Sequence, residues 1–248
     1  MASGLDALMT GATVLGVALD QRQLSQFARY RELLLDWNTR INLTAITDPA
    51  EIETRHFLDS LTCVLAVPDE DRTRPLAALD VGSGAGFPGL PLAIAFPHWR
   101  VTLLEATGKK VRFLETVIAE LGLTHVRALQ GRAEEVAHRS GQRGHYALVM
   151  VRALATLPTL LEYCVPFARV GGVIVAPKKG SLADELAAGD RAAALLNAQL
   201  LDPITIPDTP ALAPLADGRV LLVAHQQRHC PSQYPRPAGA PVRKPLGM

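Results

Sequence analysis

The chain has 248 residues, of which 48% are hydrophobic and 20% are charged, and its formal net charge is +1. This length and composition can bury one large core plus a small appended region, and they exclude a disordered chain. No apolar run approaches the roughly 18 residues of a membrane helix, and the amino-terminal residues lack the pattern of a secretory leader. We therefore expect a compact cytoplasmic protein that is a monomer and has no membrane partner.

The three cysteines, Cys63, Cys164 and Cys230, are far apart and form no CxxC pair. An odd number of cysteines without a histidine-rich partner segment indicates neither a disulfide framework nor a zinc site. We expect reduced thiols and no bound metal.

Residues 20–66 place apolar side chains at helical spacing, with a break from Asn38 to Asn42. Asp48, Pro49 and Glu51 then supply an N-cap, a proline for the first turn and a capping-box acid. The pattern predicts two helices in a helical N-terminal region, residues 1–75. Its boundary is the charged, proline-bracketed segment 67–75.

From Leu76 onward, short apolar runs alternate with longer helical ones. This alternation predicts an α/β, Rossmann-like fold in residues 76–227, with a mostly parallel sheet and helices on both faces. Apolar runs at 203–207 and 220–225 would complete a seven-stranded sheet. The other strands are predicted near 77–81, 100–105, 126–130, 146–151 and 172–177, and the helices near 88–95, 108–121, 132–138 and 156–167.

The first of these strands leads into a glycine turn, ALDVGSGAGFPG at 78–89. Such a turn lets the backbone approach a ligand closely and leaves N–H groups free to bind it. Counted from Gly82 the loop fails the GxGxxG pattern, whereas Gly84, Gly86 and Gly89 satisfy it. The loop alone therefore leaves open a methyltransferase and a dinucleotide-binding module of the dehydrogenase type.

Three neighbours favour S-adenosylmethionine. Asp80 precedes the first glycine by two residues, where a carboxylate would balance the positive charge of the cofactor's methionine part and would repel a pyrophosphate. Glu105 ends the second strand, where it can accept hydrogen bonds from both ribose hydroxyls. The turn from Gly131 to Glu134 follows the third strand, where methyltransferases usually hold the adenine. The alternative is that Asp80 and Glu105 are ordinary solvated acids at strand ends.

Residues 228–248 are a basic, proline-rich tail. The segment 226–248 contains no acidic residue, and its prolines predict extended, polyproline-like backbone without helix, able to lie over a polyanion. A solvated terminus with incidental charge is an equal alternative on composition alone. The cations of this segment are Arg228, Arg236, Arg243 and Lys244.

The motifs of this chain resemble those of the glucose-inhibited division protein B family, bacterial methyltransferases that act on guanine N7 in 16S ribosomal RNA. The resemblance spans nearly the whole chain, although Pro177 and an extra Lys178 depart from the family's usual lysine-glycine loop. It is carried by INLT at 41–44, RHFLDS at 55–60, DVGSGAGFPG at 80–89, KKVRFL at 109–114, VRA at 151–153, KKG at 178–180 and YPR at 234–236.

The resemblance implies a set of cofactor contacts, to which the glycine-loop argument adds Asp80 and Gly84. It also implies that 16S ribosomal RNA, or the small-subunit particle, is the substrate, and we expect Lys179, Arg236, Arg243 and Lys244 to contact that RNA. The implied cofactor contacts are Gly82, Phe87, Glu105, Ala106, Thr107, Ala133, Glu134 and Arg152.

The chemistry agrees with guanine N7 as the target. The chain has MVRAL at 150–154, without the Asn/Asp-Pro-Pro-aromatic loop common in exocyclic-amine methylation, and the sequence predicts no cysteine nucleophile beside the cofactor. Guanine N7 carries an in-plane lone pair and no proton, so direct transfer needs neither a base nor a covalent intermediate.

Arg152 is the positioning candidate, because it follows the fourth strand at the ligand-binding edge of the sheet; it could hold the cofactor carboxylate or contact guanine O6. Arg55 and Asp59 are four residues apart on a predicted helix, so without the resemblance we interpret them as a surface ion pair and not as functional residues. For Lys109, Lys110 and Arg112 we favour a solvated helix face over RNA contact. The rival function is a small-molecule or protein methyltransferase with the same cofactor site, which the basic tail and the lack of a large insertion disfavour.

Overall fold

The computed structural model describes residues 5–152, 155–180 and 183–248. Within these ranges one mixed sheet has the strand order β3-β2-β1-β4-β5-β8-β6, with β7 paired to β8. The neighbours from β3 to β5 are parallel, and β8 is antiparallel to β5, β6 and β7. The strands are β1 Ala77–Val81, β2 Arg100–Glu105, β3 Val126–Gln130, β4 Tyr146–Val151, β5 Ala168–Lys179, β6 Ala198–Leu200, β7 Ile204–Thr205 and β8 Arg219–Gln226.

Eleven α-helices are assigned in the described residues, together with a π-helical segment and three 3₁₀ segments. The π segment is Glu53–Leu58, and the 3₁₀ segments are Thr62–Ala66, Val165–Phe167 and Pro210–Leu215. The helices are α1 Asp6–Val14, α2 Gln21–Asn38, α3 Pro49–Ile52, α4 Asp59–Leu61, α5 Asp69–Arg72, α6 Gly89–Ala95, α7 Gly108–Glu120, α8 Ala133–Val136, α9 Leu157–Cys164, α10 Ala183–Leu195 and α11 Ala240–Arg243.

Side-chain caps fix the amino ends of the two predicted N-terminal helices. Asp20 accepts from the backbone N–H of Gln23, whose side chain accepts from the Asp20 N–H in return, which is a capping box at the start of α2. Asp48 accepts from the backbone N–H of Glu51 with Pro49 in the first turn of α3, as the sequence predicted, but the Glu51 side chain contacts Arg55 and does not close the predicted capping box. The sequence prediction missed α1.

Alternating residues of the central strands supply two hydrophobic layers. Leu148 and Met150 belong to one buried cluster, whereas Val149 and Val151 belong to the other, as the period of two in a strand requires. The N-terminal helices share the first layer with the sheet, and the second layer is covered by α9, α10 and parts of the carboxyl-terminal tail. Because the two parts share this layer, the division of the chain into an N-terminal region, residues 1–75, and a following domain stays a prediction.

Two predictions about secondary structure were wrong in detail. The sheet has eight strands within the described residues rather than seven, because Ala198–Leu200 also pairs with β8. The tail contains α11, although its prolines were expected to prevent helix; Pro241 lies in the first turn, where a missing N–H breaks no helical hydrogen bond. None of the helices in the described parts of the chain has the length and apolarity needed to cross a membrane.

Candidate functional site

The glycine loop lies at the carboxyl end of β1, where the strand order changes direction between β2 and β4. Gly82, Gly84 and Gly86 have φ values of 70°, 58° and 99°, in the left-handed region that favours glycine. The N–H groups of Gly82 and Ser83 both donate to the carbonyl of Leu104, at 2.8 and 3.0 Å, which ties the loop to β2. In open α/β sheets this is the place where ligands bind.

A first cavity of about 380 Å³ opens beside this loop, within the usual range for small-molecule sites. It is lined by residues that follow β1, β2, β3 and β4. The sequence prediction missed the lining residues Lys110 and Tyr163, whereas Arg132 lies in the turn from Gly131 to Glu134 that it named. The predicted cofactor residues that line it are Gly82, Gly84, Glu105, Ala106, Ala133, Glu134 and Arg152.

Glu105 is 7% exposed and both its carboxylate oxygens are held by the backbone. Oε2 accepts from the N–H of Gly84 at 3.0 Å, and Oε1 accepts from the N–H of Thr107 at 2.8 Å. The carboxylate therefore joins the glycine loop to the start of α7. Each oxygen keeps further acceptor capacity toward the cavity, as binding of ribose hydroxyls would require.

Glu134 and Tyr163 form the wall of the first cavity on the other side. Glu134 is 8% exposed, and its Oε1 accepts from the N–H of Gly239 in the tail at 3.4 Å. Burial, followed by the nearby charges of Glu134 and Glu162, raises the pKa of the Tyr163 phenol, so this side chain stays neutral. A tyrosine in an apolar helix gives no sequence signal that separates it from a core residue.

Three predicted cofactor residues do not line the first cavity. Thr107 is the N-cap residue of α7, and Phe87 packs among Tyr30, Phe57 and His56. Asp80 is fully buried behind the loop, where its Oδ2 accepts from the N–H of Gly89 at 3.0 Å. Burial raises the pKa of Asp80 to about 7, against the opposing effect of the Gly89 hydrogen bond.

Arg152 borders the first cavity and also a second cavity of about 460 Å³. One guanidinium nitrogen lies 3.0 Å from Oδ2 of Asp59, the other lies 3.1 Å from Nδ1 of His56, and the group stands 4.8 Å from the centre of the Phe87 ring. The second cavity is lined by Ile46, Arg55, His56, Asp59, Arg152, Ala155, Pro177, Lys178, Lys179 and Arg219.

The contacts of His56 define its tautomer. An arginine only donates hydrogen bonds, so Nδ1 of His56 accepts from Arg152, and the proton of the neutral ring lies on Nε2. Nε2 then donates to Oγ1 of Thr44 at 2.7 Å. Burial and the adjacent charge of Arg152 lower the pKa of His56 to about 3, which keeps the ring neutral and able to accept.

The expected surface ion pair between Arg55 and Asp59 is wrong. Asp59 is 3% exposed and bridges Arg152 and Arg219, while Arg55 lies 3.5 Å from Glu51 on the surface. Arg55 lies within the π-helical segment Glu53–Leu58 and stays on the exposed side, next to Glu51, whereas Asp59, directly after that segment, faces the interior.

The lysines at the end of β5 border the second cavity. Lys178 donates to the carbonyl of Ala155 and pairs with Glu185, and Lys179 pairs with Asp217 at 2.8 Å while its side chain remains 60% exposed. Pro177 lies within β5, in register with Leu221 of the antiparallel strand β8. Pro177 and Lys178, the two departures from the family's usual loop, therefore belong to strand β5, which ends at Lys179, directly before Gly180.

All three cysteines are free, and none of them is among the described residues that line these two cavities. Burial raises the pKa of the Cys63 and Cys164 thiols well above the ordinary value and that of Cys230 to about 11. Because the thiolate is the nucleophilic form, these positions do not suit covalent catalysis.

The predicted RNA contacts of the tail lie in different environments. Arg236 pairs with the completely buried Glu162 of α9, so its charge is already compensated. Arg243 and Lys244 are exposed. RNA contact by these residues and by Lys179 stays a prediction, and the environment of Arg236 does not favour it.

Two solved structures have the same fold. The antibiotic-resistance methyltransferase Kmr gives a TM-score of 0.52 at 16% identity, covering 64% of this chain and 91% of that one. A mutant of MtNAS in complex with S-adenosylmethionine also gives 0.52, at 15% identity, covering 90% of this chain and 78% of that one. These likenesses confirm the predicted Rossmann-like α/β fold.

The family assignment comes from sequence. A family model described as rRNA small subunit methyltransferase G, GidB, matches residues 23–206. Relatives named ribosomal RNA small subunit methyltransferase G are 45% identical in Roseiflexus sp. strain RS-1, over 98% of this chain and 100% of the relative, and 42% identical in Geobacillus kaustophilus strain HTA426, over 93% and 94%. The chain therefore belongs to the rRNA small subunit methyltransferase G family, and it is a methyltransferase whose cofactor is S-adenosylmethionine, as the sequence predicted.

Proposed function

We propose that this protein transfers a methyl group from S-adenosylmethionine to N7 of a guanine in 16S ribosomal RNA, by direct in-line transfer without a covalent intermediate. The observation that carries the proposal is the position of Arg152, which borders both the first cavity and the cation-lined second cavity. A methyl donor in the first cavity and a base entering from the second would meet beside this residue.

The first cavity fits the cofactor. Gly84 has a left-handed φ, and the loop beside it leaves open space along the cavity wall that a side chain would narrow. Glu105 offers a carboxylate for the ribose, and Glu134 with Tyr163 offers a wall for the adenine. When bound there, S-adenosylmethionine supplies an electrophilic methyl group on a positively charged sulfur.

The side chains near Arg152 suit a nucleophile that brings its own lone pair. Guanine N7 has no proton to remove, so the protein has to orient the base and exclude water. His56 is neutral and has both ring nitrogens engaged, by Arg152 and Thr44, which leaves it unsuited to act as a base. In this proposal Arg152 donates to guanine O6, the acceptor next to N7.

The second cavity suits a polyanion. Arg55, Lys178, Lys179 and Arg219 line it together with Arg152, and Asp59 is the one acid in its described lining. Glu51, Glu185 and Asp217 pair with three of these cations from outside the lining, but the side chains of Arg55 and Lys179 remain more than half exposed. Lysine and arginine side chains bind phosphates at any sequence and raise the rate of encounter with RNA. We propose the small-subunit RNA, free or within the particle, as the partner, and the cytoplasm as the location.

Mapping of the methylated position tests the proposal. Small-subunit RNA from cells that lack the gene would be incubated with the purified protein and radiolabelled S-adenosylmethionine. N7 methylation labilises the guanine ring, so borohydride reduction followed by aniline treatment should cleave the labelled RNA at a single guanine. Label that resists this cleavage, or that enters protein or small metabolites instead, would overturn the proposal.

A further inference from the structure

Asp59 joins two arginines that arrive from opposite ends of different strands. Arg152 follows the carboxyl end of β4, and Arg219 is the first residue of β8. Oδ2 of Asp59 contacts Arg152 at 3.0 Å, and Oδ1 accepts a short hydrogen bond from Arg219. The carboxylate is 3% exposed, so water competes little for either contact.

The two arginines differ in the cavities that they line. Arg152 lines both the first and the second cavity, whereas Arg219 lines only the second among the two. The side chain of Arg152 has little freedom, because Asp59 and His56 hold its two terminal nitrogens and the Phe87 ring lies beneath its plane. A planar guanidinium needs such two-pronged contact to keep one orientation.

We infer that Asp59 is a positioning residue shared by the first cavity, which we propose holds the cofactor, and the second cavity, which we propose faces the RNA. By holding Arg152 it sets the boundary of the cofactor site, and by holding Arg219 it sets the cation that faces the RNA. This inference rests on the proposed function only for the identity of the polyanion, since the bridge itself involves residues of this chain alone.

If Asp59 holds both arginines, three variants should differ in a defined way in their affinities for S-adenosylhomocysteine and RNA. Asp59→Asn keeps the shape but removes the charge that holds both arginines, so it should weaken S-adenosylhomocysteine binding and RNA binding, each at least fivefold, and slow methyl transfer at least tenfold. Arg219→Gln should weaken RNA binding while S-adenosylhomocysteine affinity stays within twofold.

Glu53→Gln is the matched control. Glu53 begins the π-helical segment that leads directly into Asp59, is 4% exposed and pairs with Arg31 at 2.6 Å, but it lines neither cavity. This variant also removes the negative charge of a buried acid–arginine pair, so any general loss of stability should be similar. Its two affinities and its transfer rate should stay within twofold of the unaltered protein.

The measurements are calorimetry with S-adenosylhomocysteine, RNA affinity with a small-subunit transcript, and single-turnover methyl transfer at saturating RNA and cofactor. Asp59 is not a shared positioning residue if Asp59→Asn behaves like Glu53→Gln, or if only one of the two affinities falls. Methylation at a nucleotide position other than guanine N7 would refute the proposed function and leave this pattern of affinities unaffected.

Arg152→Lys tests the inference if the Asp59→Asn variant does not fold. Arg152→Lys keeps the positive charge, but an ammonium group lacks the planar fork that contacts Asp59 and His56 together. It should weaken S-adenosylhomocysteine binding at least fivefold and slow transfer at least tenfold. Unchanged values would show that the held orientation of Arg152 has no role.

Discussion

The guanidinium of Arg236 donates to both carboxylate oxygens of Glu162, at 2.8 and 2.6 Å, and Glu162 is completely buried in α9. The backbone N–H of Arg236 adds a third hydrogen bond to the same carboxylate. The tail is further fixed by Tyr234 and Leu246, which belong to the hydrophobic layer on this face of the sheet. The cations of the tail therefore divide into one that anchors the tail and others that face solvent.

Replacement of Arg236 should act on stability. Arg236→Gln leaves a buried carboxylate without its cation, and loss of one partner of a buried pair lowers the free energy of unfolding by about 3–5 kcal/mol. Urea unfolding measures this loss. Arg243→Gln, at an exposed position of α11, is the control and should change stability by less than about 0.5 kcal/mol. An Arg236→Gln variant of unchanged stability with a shallower salt dependence of RNA binding would instead support direct RNA contact.

Replacement of the exposed tail cations should act on RNA binding. Each phosphate contact contributes about 0.7–0.9 to the slope of log affinity against log salt, so Arg243→Gln with Lys244→Gln should reduce that slope by up to about 1.8. The matched control is Arg74→Gln with Arg100→Gln, which removes two exposed charges, one of them at the amino end of β2. Equal slopes for the two double variants would place the RNA on other surfaces.

The sequence predicted the central fold well because its signals are local. The five parallel strands and the glycine turn depend on short apolar runs and on glycines with left-handed φ, and both are visible in the residues themselves. Most of the predicted cofactor residues line the first cavity for the same reason, since the ends of neighbouring parallel strands meet at one edge.

Contacts between distant parts of the chain gave no such signal. Asp59 and Arg219 are 160 residues apart, and the tail reaches the wall of the first cavity through the contact between Gly239 and Glu134. The charge of Arg236 suggested RNA, whereas its partner Glu162 lies in a helix whose apolar neighbours hide a buried acid. Pairing of this kind depends on tertiary packing, which composition and periodicity do not specify.

Glu105 should be needed for cofactor affinity. Glu105→Ala removes the acceptor expected for the ribose and also leaves the N–H groups of Gly84 and Thr107 without their partner. The two N–H groups lose their partner in the free variant as well, so the loss of affinity comes from the ribose hydroxyls, which have no acceptor in the complex. Unpaired hydroxyls cost about 1–3 kcal/mol, so S-adenosylhomocysteine affinity should fall roughly five- to 150-fold. Calorimetry measures the affinity, and Glu115→Ala on the exposed face of α7 is the control. Equal affinities for the two variants would remove Glu105 from the cofactor site.

Asp80 should make stability depend on pH. Burial raises its pKa from 3.8 to about 7 in the folded chain, so between these values the folded protein holds a proton that the unfolded chain has lost. The free energy of unfolding therefore falls as pH rises through this range, and the loss is complete above about pH 7. At about 1.4 kcal/mol per pKa unit, the contribution amounts to roughly 4 kcal/mol.

Asp80→Asn removes this titration, because an amide stays neutral while its oxygen can still accept from the N–H of Gly89. Relative to the unaltered protein, the variant should therefore become progressively more stable as pH rises, and the difference between the two curves should level off above about pH 7. Urea unfolding at a series of pH values measures both curves, with the exposed Asp208→Asn as the control for general charge effects. Parallel curves for Asp80→Asn and the unaltered protein would mean that the buried carboxyl is already ionised in the folded state, stabilised by the N–H of Gly89 and the charge of Arg152.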